Sequence, residues 1–550
     1  MGATGWPVNR LYLLFAFFPV LAAFHIVFRI RENTIRLNAF RQFALSNNCE
    51  EPPAISGSFI AGIKHKWKRL YQRGDIFNDY MGSVFRKHGP THAIVDQYSG
   101  ETKTLYTIEP ENVKTILYSK FTDYYRPNTM PNALNPVMGE GLITANGAAW
   151  AHSRSLVRAQ VSTSRVRNVA QLDKHLQNIF EALGGTMHDG WTEEQEILLI
   201  FNRFTLDSAT EFLFGTSARS HEAAMEEKNL FATNQYRIGS WGRYKRILTD
   251  FGTAFDTTLD YVALRLKLGR FWFLADGLAF RLACFKVRNF ADNYIRDAIR
   301  HAESAKASVG ESGDTLDDRK FGLLSELSES YPDKVELRNQ VMQLLVAGRD
   351  TTAATLTWAL IVLDTNPLVF DRLRSAVIRH FGTESKPTAP VTFENLRSCT
   401  YLQWFISEVL RLWPTAPLNA RKASKDTVLP VGGGADGRSP IAVKAHTTVA
   451  YNVYLMHRSE TLWGDDGWDF KPERWEGKKA GWEYVPFHGG PQTCLGQLHA
   501  ITEIAYVITR MLQRYSHISS STRSTNLENG IRTILAPKHT VLFRFQLCED

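Results

Sequence analysis

The chain has 550 residues, 44% of them hydrophobic and 22% charged, with a formal net charge of +8. That length and apolar content allow a large core, and the mild charge suits a solvated surface, anionic lipid or an acidic partner. Five cysteines, odd in number and without Cys-x-x-Cys or metal-type spacing, argue for a reducing compartment and against a disulfide framework. The sequence holds no Cys/His finger spacing, dense basic run or aromatic–basic RNA-binding segment, so nucleic acid is not an expected partner.

In chain order, Leu11 to Phe28 is almost wholly apolar, interrupted by Pro19 and His25. Its length is about the lower limit for a helix that crosses a bilayer. Arg29, Arg31, Arg36 and Arg41 follow it and only Arg10 precedes it, which leaves the rest of the chain cytosolic. A cleaved signal peptide is the alternative; Ala22-Ala23 gives it a foothold, but its basic n-region is thin. The expected division is an anchor over 1–30, a basic linker over 31–55 that ends after Pro52-Pro53, and one folded domain over 56–550. Apolar recurrence near 3.6 residues predicts helices near 150–190, 198–215, 258–300, 335–365 and 395–412. Ser304–Leu316, rich in Ser, Gly and charge, reads as a surface loop. Strand signals are fewer: Thr104–Ile108, then Thr427–Pro430, Ile441–Val443 and Thr447–Tyr451 around the turn-rich Val431–Ser439. Gly432-Gly433-Gly434 is followed by no Lys-Ser/Thr and no helix, so it reads as a wide hairpin turn, not a phosphate loop. The fold class is mainly α with a small β-sheet subdomain.

Several constellations carry chemistry. Trp150 and Arg154 stand about one helical turn apart, with indole N–H and guanidinium on one face. Ala347-Gly348-Arg349-Asp350-Thr351-Thr352 interrupts a long helical pattern with residues that compete for backbone groups. An acid beside an alcohol can relay protons. Glu408-x-x-Arg411 places two opposite charges on one face of a helix that stops at Trp413-Pro414, and Arg474 follows in Pro472-Glu473-Arg474-Trp475. Cys494 lies in Phe487-His-Gly-Gly-Pro-Gln-Thr-Cys-Leu-Gly496, a glycine- and proline-rich loop just before a helical stretch. Backbone N–H groups and the positive helix end favour a thiolate there, as a nucleophile or as a single axial ligand to iron.

Together these motifs resemble the cytochrome P450 family from about residue 56 to the C-terminus, with the N-terminal anchor in addition. F-x-x-G-x-x-x-C-x-G over Phe487, Gly490, Cys494 and Gly496 is similar to the family's haem-binding loop. The resemblance implies haem b with the Cys494 thiolate on iron, shielded by Phe487, and a cytochrome P450 catalytic domain over 56–550. It also implies proton delivery by Asp350 and Thr351, a buried Glu408–Arg411–Arg474 triad, and propionate binding by Trp150, Arg154 and Arg421. One position departs: the family usually has Arg two residues before the cysteine, where this chain has Gln492. An amide brings no charge, so an arginine restored there is expected to raise haem retention.

Ala-Gly-Arg-Asp-Thr-Thr-Ala at 347–353, the 429–437 turn, Val453–Arg458 and Cys494-Leu-Gly-Gln497 look like the fungal microsomal alkane and fatty-acid hydroxylases. That implies a haem-thiolate monooxygenase of the endoplasmic reticulum membrane acting on a long aliphatic chain. NADPH–cytochrome P450 reductase would supply its electrons, with cytochrome b5 as an optional second donor, and membrane lipid and a hydrophobic small molecule would be its other partners. Two alternatives stay open: oxidation of a fungal secondary metabolite by the same machinery, and a haem protein without oxygenase activity. The intact Asp350-Thr351 pair argues against the second.

Overall fold

The computed structural model describes residues 8–57, 75–96, 102–160, 167–225, 250–307, 323–324, 327–328, 331, 333–521, 528–531 and 533–548. The apolar N-terminal segment and the arginines behind it form one helix, α1 (Val8–Ser46), where a helix and a linker were expected. The segment contains no glycine, so the helix propagates to Asn47-Asn48, where Asn48 turns to φ 51°. Among the described residues no single helix is long and apolar enough to cross a membrane; the side chains of Leu11–Val20 within the expected span lie outside the described residues.

Eight of the thirteen described strands make up a six-stranded sheet and a hairpin beside the site: β1 (Ala54–Gly57), β2 (Thr91–Asp96), β3 (Thr102–Thr107), β4 (Tyr124–Tyr125), β5 (Leu418–Ala423), β6 (Thr427–Gly433), β7 (Ser439–Val443) and β8 (Thr448–Asn452). One sheet has the order β1-β2-β3-β8-β5-β4. β6 and β7 form the expected antiparallel hairpin, with a register shift between Leu429 and Gly433. The pairing of Tyr124 with Ala423 and Tyr125 with Lys422 sets the end of β4 beside β5. Arg126, the next residue, is thereby carried to the neighbourhood of Arg421.

The helices that position the site are α2 (Thr129–Met138), α3 (Gly147–Gln160), α4 (Ala170–Leu183), α5 (Ile197–Phe214), α6 (Phe251–Leu268), α7 (Leu278–Ala307), α8 (Lys334–Thr365), α9 (Pro367–Phe381), α10 (Thr400–Leu412) and α11 (Gln497–Arg514). The single helix expected over 258–300 is two, split where Gly269 takes φ 58° and a 3-10 turn runs to Ala275. Ser304–Ala307, expected in a loop, prolongs α7, and 308–316 lies outside the described residues. Good helix formers (Ala302, Glu303, Ala305, Lys306) outweigh the serine there.

α8 organises the core. Asp333 caps its first turn by accepting from the Val335 N–H, and Asn366-Pro367 ends it. Its N-terminal half packs Leu337, Val341 and Leu345 against α6 and α7. Its C-terminal half packs Leu356, Trp358 and Leu360 into a second cluster with α4, α5, α10 and α11. Each such side chain contributes about 1.5–3 kcal/mol of burial, so the helix is fixed at both ends and its middle is held in place between them.

Candidate active site

The loop that carries Cys494 is shaped by backbone bonds. The Cys494 N–H donates to Phe487 O at 3.0 Å, and Thr493 donates to Gly490 O from its N–H at 3.1 Å and from Oγ1 at 2.7 Å. Gly490 sits at φ 63°, and a Cβ there would lie 2.1 Å from Leu117 O, so no other residue fits. Phe487 packs on the cluster formed by α10 and α11. Cys494 is exposed, although enough protein surrounds it for burial to push its thiol up; it therefore faces a space within the protein. The N–H groups of Gly496 and Gln497 and the Arg154 charge pull the thiol the other way. The expectation that the helix end by itself favours thiolate is not met in the chain alone, because desolvation is the larger effect. A metal ion at the sulfur reverses that balance, since a coordinating thiol is deprotonated.

Four cationic or ring groups converge beside this loop. Arg154 donates from Nη2 to Thr493 O at 2.8 Å and lies 5.8 Å from the Trp150 ring centroid. Arg421 donates from Nη2 to Gln492 Oε1 at 2.6 Å. Arg126, which the sequence reading did not single out, donates from Nη1 to Ala145 O at 2.9 Å. Burial and the charges of Arg421 and Arg154 push Arg126 down to about 9. Burial, then Arg421 and Arg126, pushes His488 down to about 3. Among the described residues no carboxylate pairs with Arg126, Arg154 or Arg421. Arg421 Nε and the Tyr451 hydroxyl are buried without a hydrogen-bond partner. Buried like charges without a counter-ion are unfavourable, so this cradle is built for an anionic group, and a dianion beside a cysteine sulfur is what haem offers. The residues present fit haem.

Gln492 therefore stands differently from expectation. Its amide oxygen accepts from Arg421, so it orients a cation where the family pattern would place another.

On α8, Thr351 donates from Oγ1 to Ala347 O at 2.8 Å. The helix is unbroken across the motif, because that back-bond satisfies the hydroxyl locally. Ala347 is exposed, Gly348 and Thr351 are half-buried, and a Cβ on Gly348 would meet nothing within 4 Å, although both halves of the helix are core. This strip is left uncovered in the middle of a core helix. Asp350 is 2.9 Å from Arg349 Nη1 and accepts from Thr533 Oγ1 at 3.5 Å. Arg349 also pairs with Asp256, whose side chain is 43% exposed and so reaches solvent.

The structure brings Glu408, Arg411 and Arg474 together in one buried network. Arg411 donates to both oxygens of Glu408 at 2.8 Å, and Arg474 Nε donates to Glu408 Oε1 at 2.9 Å. Trp475 Nε1 and the Lys471 N–H complete the carboxylate's shell, each at 3.0 Å. Every charge is fully hydrogen-bonded, as burial demands. His457, missed in the sequence, links this network to the cysteine loop. Its Nδ1 lies 3.0 Å from Arg411 O, and the Val485 N–H donates to its Nε2 at 3.0 Å. Those contacts fix a neutral ring with the proton on Nδ1. Burial pushes it down to about 3.

The family model for cytochrome P450 matches residues 64–543. Among curated relatives, cytochrome P450 monooxygenase g430 of a Fusarium species is 36% identical over 499 residues, covering 90% of this chain and 84% of the relative. Cytochrome P450 52A3-B of Candida maltosa is 34% identical over 488 residues, 88% of each chain. Cytochrome P450 52-M1 of Starmerella bombicola is 34% identical over 514 residues, 91% of each. With a cysteine facing an internal space, a dianion cradle and an extended match, the chain belongs to the cytochrome P450 family of haem-thiolate monooxygenases.

Proposed function

We propose that the protein hydroxylates a long aliphatic chain, a fatty acid or an alkane, at the cytosolic face of the endoplasmic reticulum membrane. The observation that carries the reading is that Cys494 and the Ala347-Gly348 strip, set in core elements, are both left uncovered. An apolar strip with a single hydroxyl, Thr351, suits an apolar chain. The subfamily likeness of residues 347–353, 429–437, 453–458 and 494–497 supports the aliphatic class.

Haem bound through the Cys494 thiolate would supply the activation of dioxygen, with electrons from NADPH through a reductase. Arg126, Arg154 and Arg421 would hold its carboxylates, with Gln492 orienting Arg421 and Trp150 flanking Arg154. Phe487 would shield one side of the sulfur, and the Gly496 N–H would stabilise its charge. Asp350, on leaving Arg349, collects a proton from the solvent side that Asp256 reaches. The Thr351 hydroxyl passes it inward by turning away from Ala347 O. Glu408, Arg411 and Arg474 act structurally.

A membrane anchor over 1–30 agrees with the apolar side chains that α1 exposes (Leu21, Phe24, Val27, Phe28). Further apolar side chains are exposed in the turn after α6 (Phe271, Phe273, Leu274) and on the first half of α7 (Leu278, Phe285). The reading is tested by a substrate-induced Soret shift screen of fatty acids, alkanes and polycyclic metabolites, with the products analysed. Tight shifts and terminal or near-terminal alcohols from the aliphatic set are expected. Shifts confined to polycyclic or aromatic compounds would move the assignment to secondary metabolism.

A further inference from the structure

α11 starts three residues after Cys494 and carries His499 and Glu503 one turn apart, facing α4 and α5. His499 Nε2 and Glu503 Oε2 are 4.0 Å apart, too far for a direct hydrogen bond and a separation that a water bridges. Opposite them, His175 Nε2 lies 2.6 Å from Glu211 Oε2 but out of line with the ring N–H. As a result both His175 nitrogens, Glu211 Oε2 and Glu503 Oε1 are buried without a hydrogen-bond partner. Between these side chains is a cavity with about 20 Å³ open to the centre of a water molecule. One water needs about 10–15 Å³ measured that way, and two to four polar partners. Both requirements are met.

The same groups are placed to hold a proton. Burial pushes Glu503 up to about 7, against a hydrogen bond with Ser208, and pushes His499 down to about 4. The groups that line the cavity with Glu503 are His499 on its own helix, His175 from α4, and Ser208 and Glu211 from α5; Asp207 and His221 act electrostatically on His175, and Arg203 on His221. Glu503 is six residues beyond the start of α11, about 9 Å along it.

We propose that this cavity binds one water and one exchangeable proton, and that the proton enters as an electron arrives at the haem iron. The reductase supplies the electron that takes iron from ferric to ferrous. Bulk water supplies the proton that joins the Glu503 carboxylate, and the bound water links that carboxyl to His499 and to the His175–Glu211 pair. Reoxidation returns the proton to solvent. The electron half rests on the reading of Cys494 as the iron ligand, so the reduced-CO band of thiolate ligation is verified first in every sample.

The test measures the midpoint potential of full-length haem-loaded protein across the pH range centred on about 7. The wild-type potential is expected to fall with rising pH more steeply than that of Glu503→Gln, which keeps the shape but not the titration. Equal slopes overturn the proposal. Should Glu503→Gln fail to load haem, a redox-difference infrared spectrum of the wild type decides: a carboxylic-acid carbonyl band gained on reduction supports the proposal, and its absence overturns it. A crystal structure of the wild type at high resolution must show one ordered water among Glu503, His499 and Glu211; a dry cavity overturns the water site.

Discussion

Replacing Gln492 tests the cation cradle at the position where this chain departs from its family. Gln492→Leu keeps bulk and removes the acceptor for Arg421 Nη2, a bond of 2.6 Å between side chains only 9% and 5% exposed. Such a charge-assisted bond is worth about 1.5–3 kcal/mol. If Arg421 holds a haem carboxylate, the haem-loss rate should rise by about tenfold to a hundredfold. Gln492→Arg, which the family pattern predicts to improve retention, should also lose haem faster than the wild type. It surrenders the same acceptor and adds a fourth guanidinium beside Arg421, Arg126 and Arg154. Two unit charges about 4 Å apart repel by about 4 kcal/mol at an effective dielectric constant of about 20, and the two haem carboxylates are already matched by three cations. The assay is haem transfer to excess apomyoglobin followed at the Soret band, with circular dichroism to show that the fold is kept. A Gln492→Arg protein that holds haem as long as the wild type, or longer, refutes this reasoning.

Glu408→Gln removes one partner of a fully buried charge network and should destabilise the protein by about 3–5 kcal/mol in urea unfolding; a change under about 1 kcal/mol contradicts the role. His457 gives an acid dependence with a definite sign. Its folded value of about 3 lies below the ordinary 6.5, so the unfolded chain binds the extra proton. Stability is therefore complete above about pH 6.5 and falls as pH drops toward about 3; His457→Gln should flatten that slope, and an unchanged slope contradicts the assignment. Thr351→Ala deletes the hydroxyl that now donates to Ala347 O. NADPH consumption should continue while product per NADPH falls several-fold, and full coupling would reassign the proton path.

The sequence made the chemistry legible because the relevant residues sit at fixed spacing within single elements. Glu408 and Arg411 are one helical turn apart, and Cys494 lies at a set distance from Phe487 and Gly490, so these spacings carried the family resemblance that implied their roles. What it left out depends on contacts between distant segments. Arg126 reaches the cradle only because β4 pairs with β5, about three hundred residues later in the chain. His457 matters because its two ring nitrogens join Arg411 to Val485, and a lone histidine in a Met-His-Arg run carries no such signal. The contact of Gln492 with Arg421 was hidden for the same reason, since its partner is seventy-one positions away in sequence. The helix boundaries missed at Gly269 and Ala307 were local matters: a positive-φ glycine broke one pattern, and strong helix formers overrode a serine-rich composition in the other. At α1, propensity carried a helix straight through a change from apolar to basic composition that had suggested a boundary.

The central claim is that the Cys494 sulfur is the axial ligand of haem iron, and the reduced-CO spectrum reads that bond directly. The wild-type protein should show the band characteristic of thiolate ligation. Cys494→Ser, which preserves size and the backbone bond to Phe487, should lose it even in preparations that retain haem. A Cys494→Ser protein that keeps the thiolate band would contradict the account, because the iron would then be held by another sulfur.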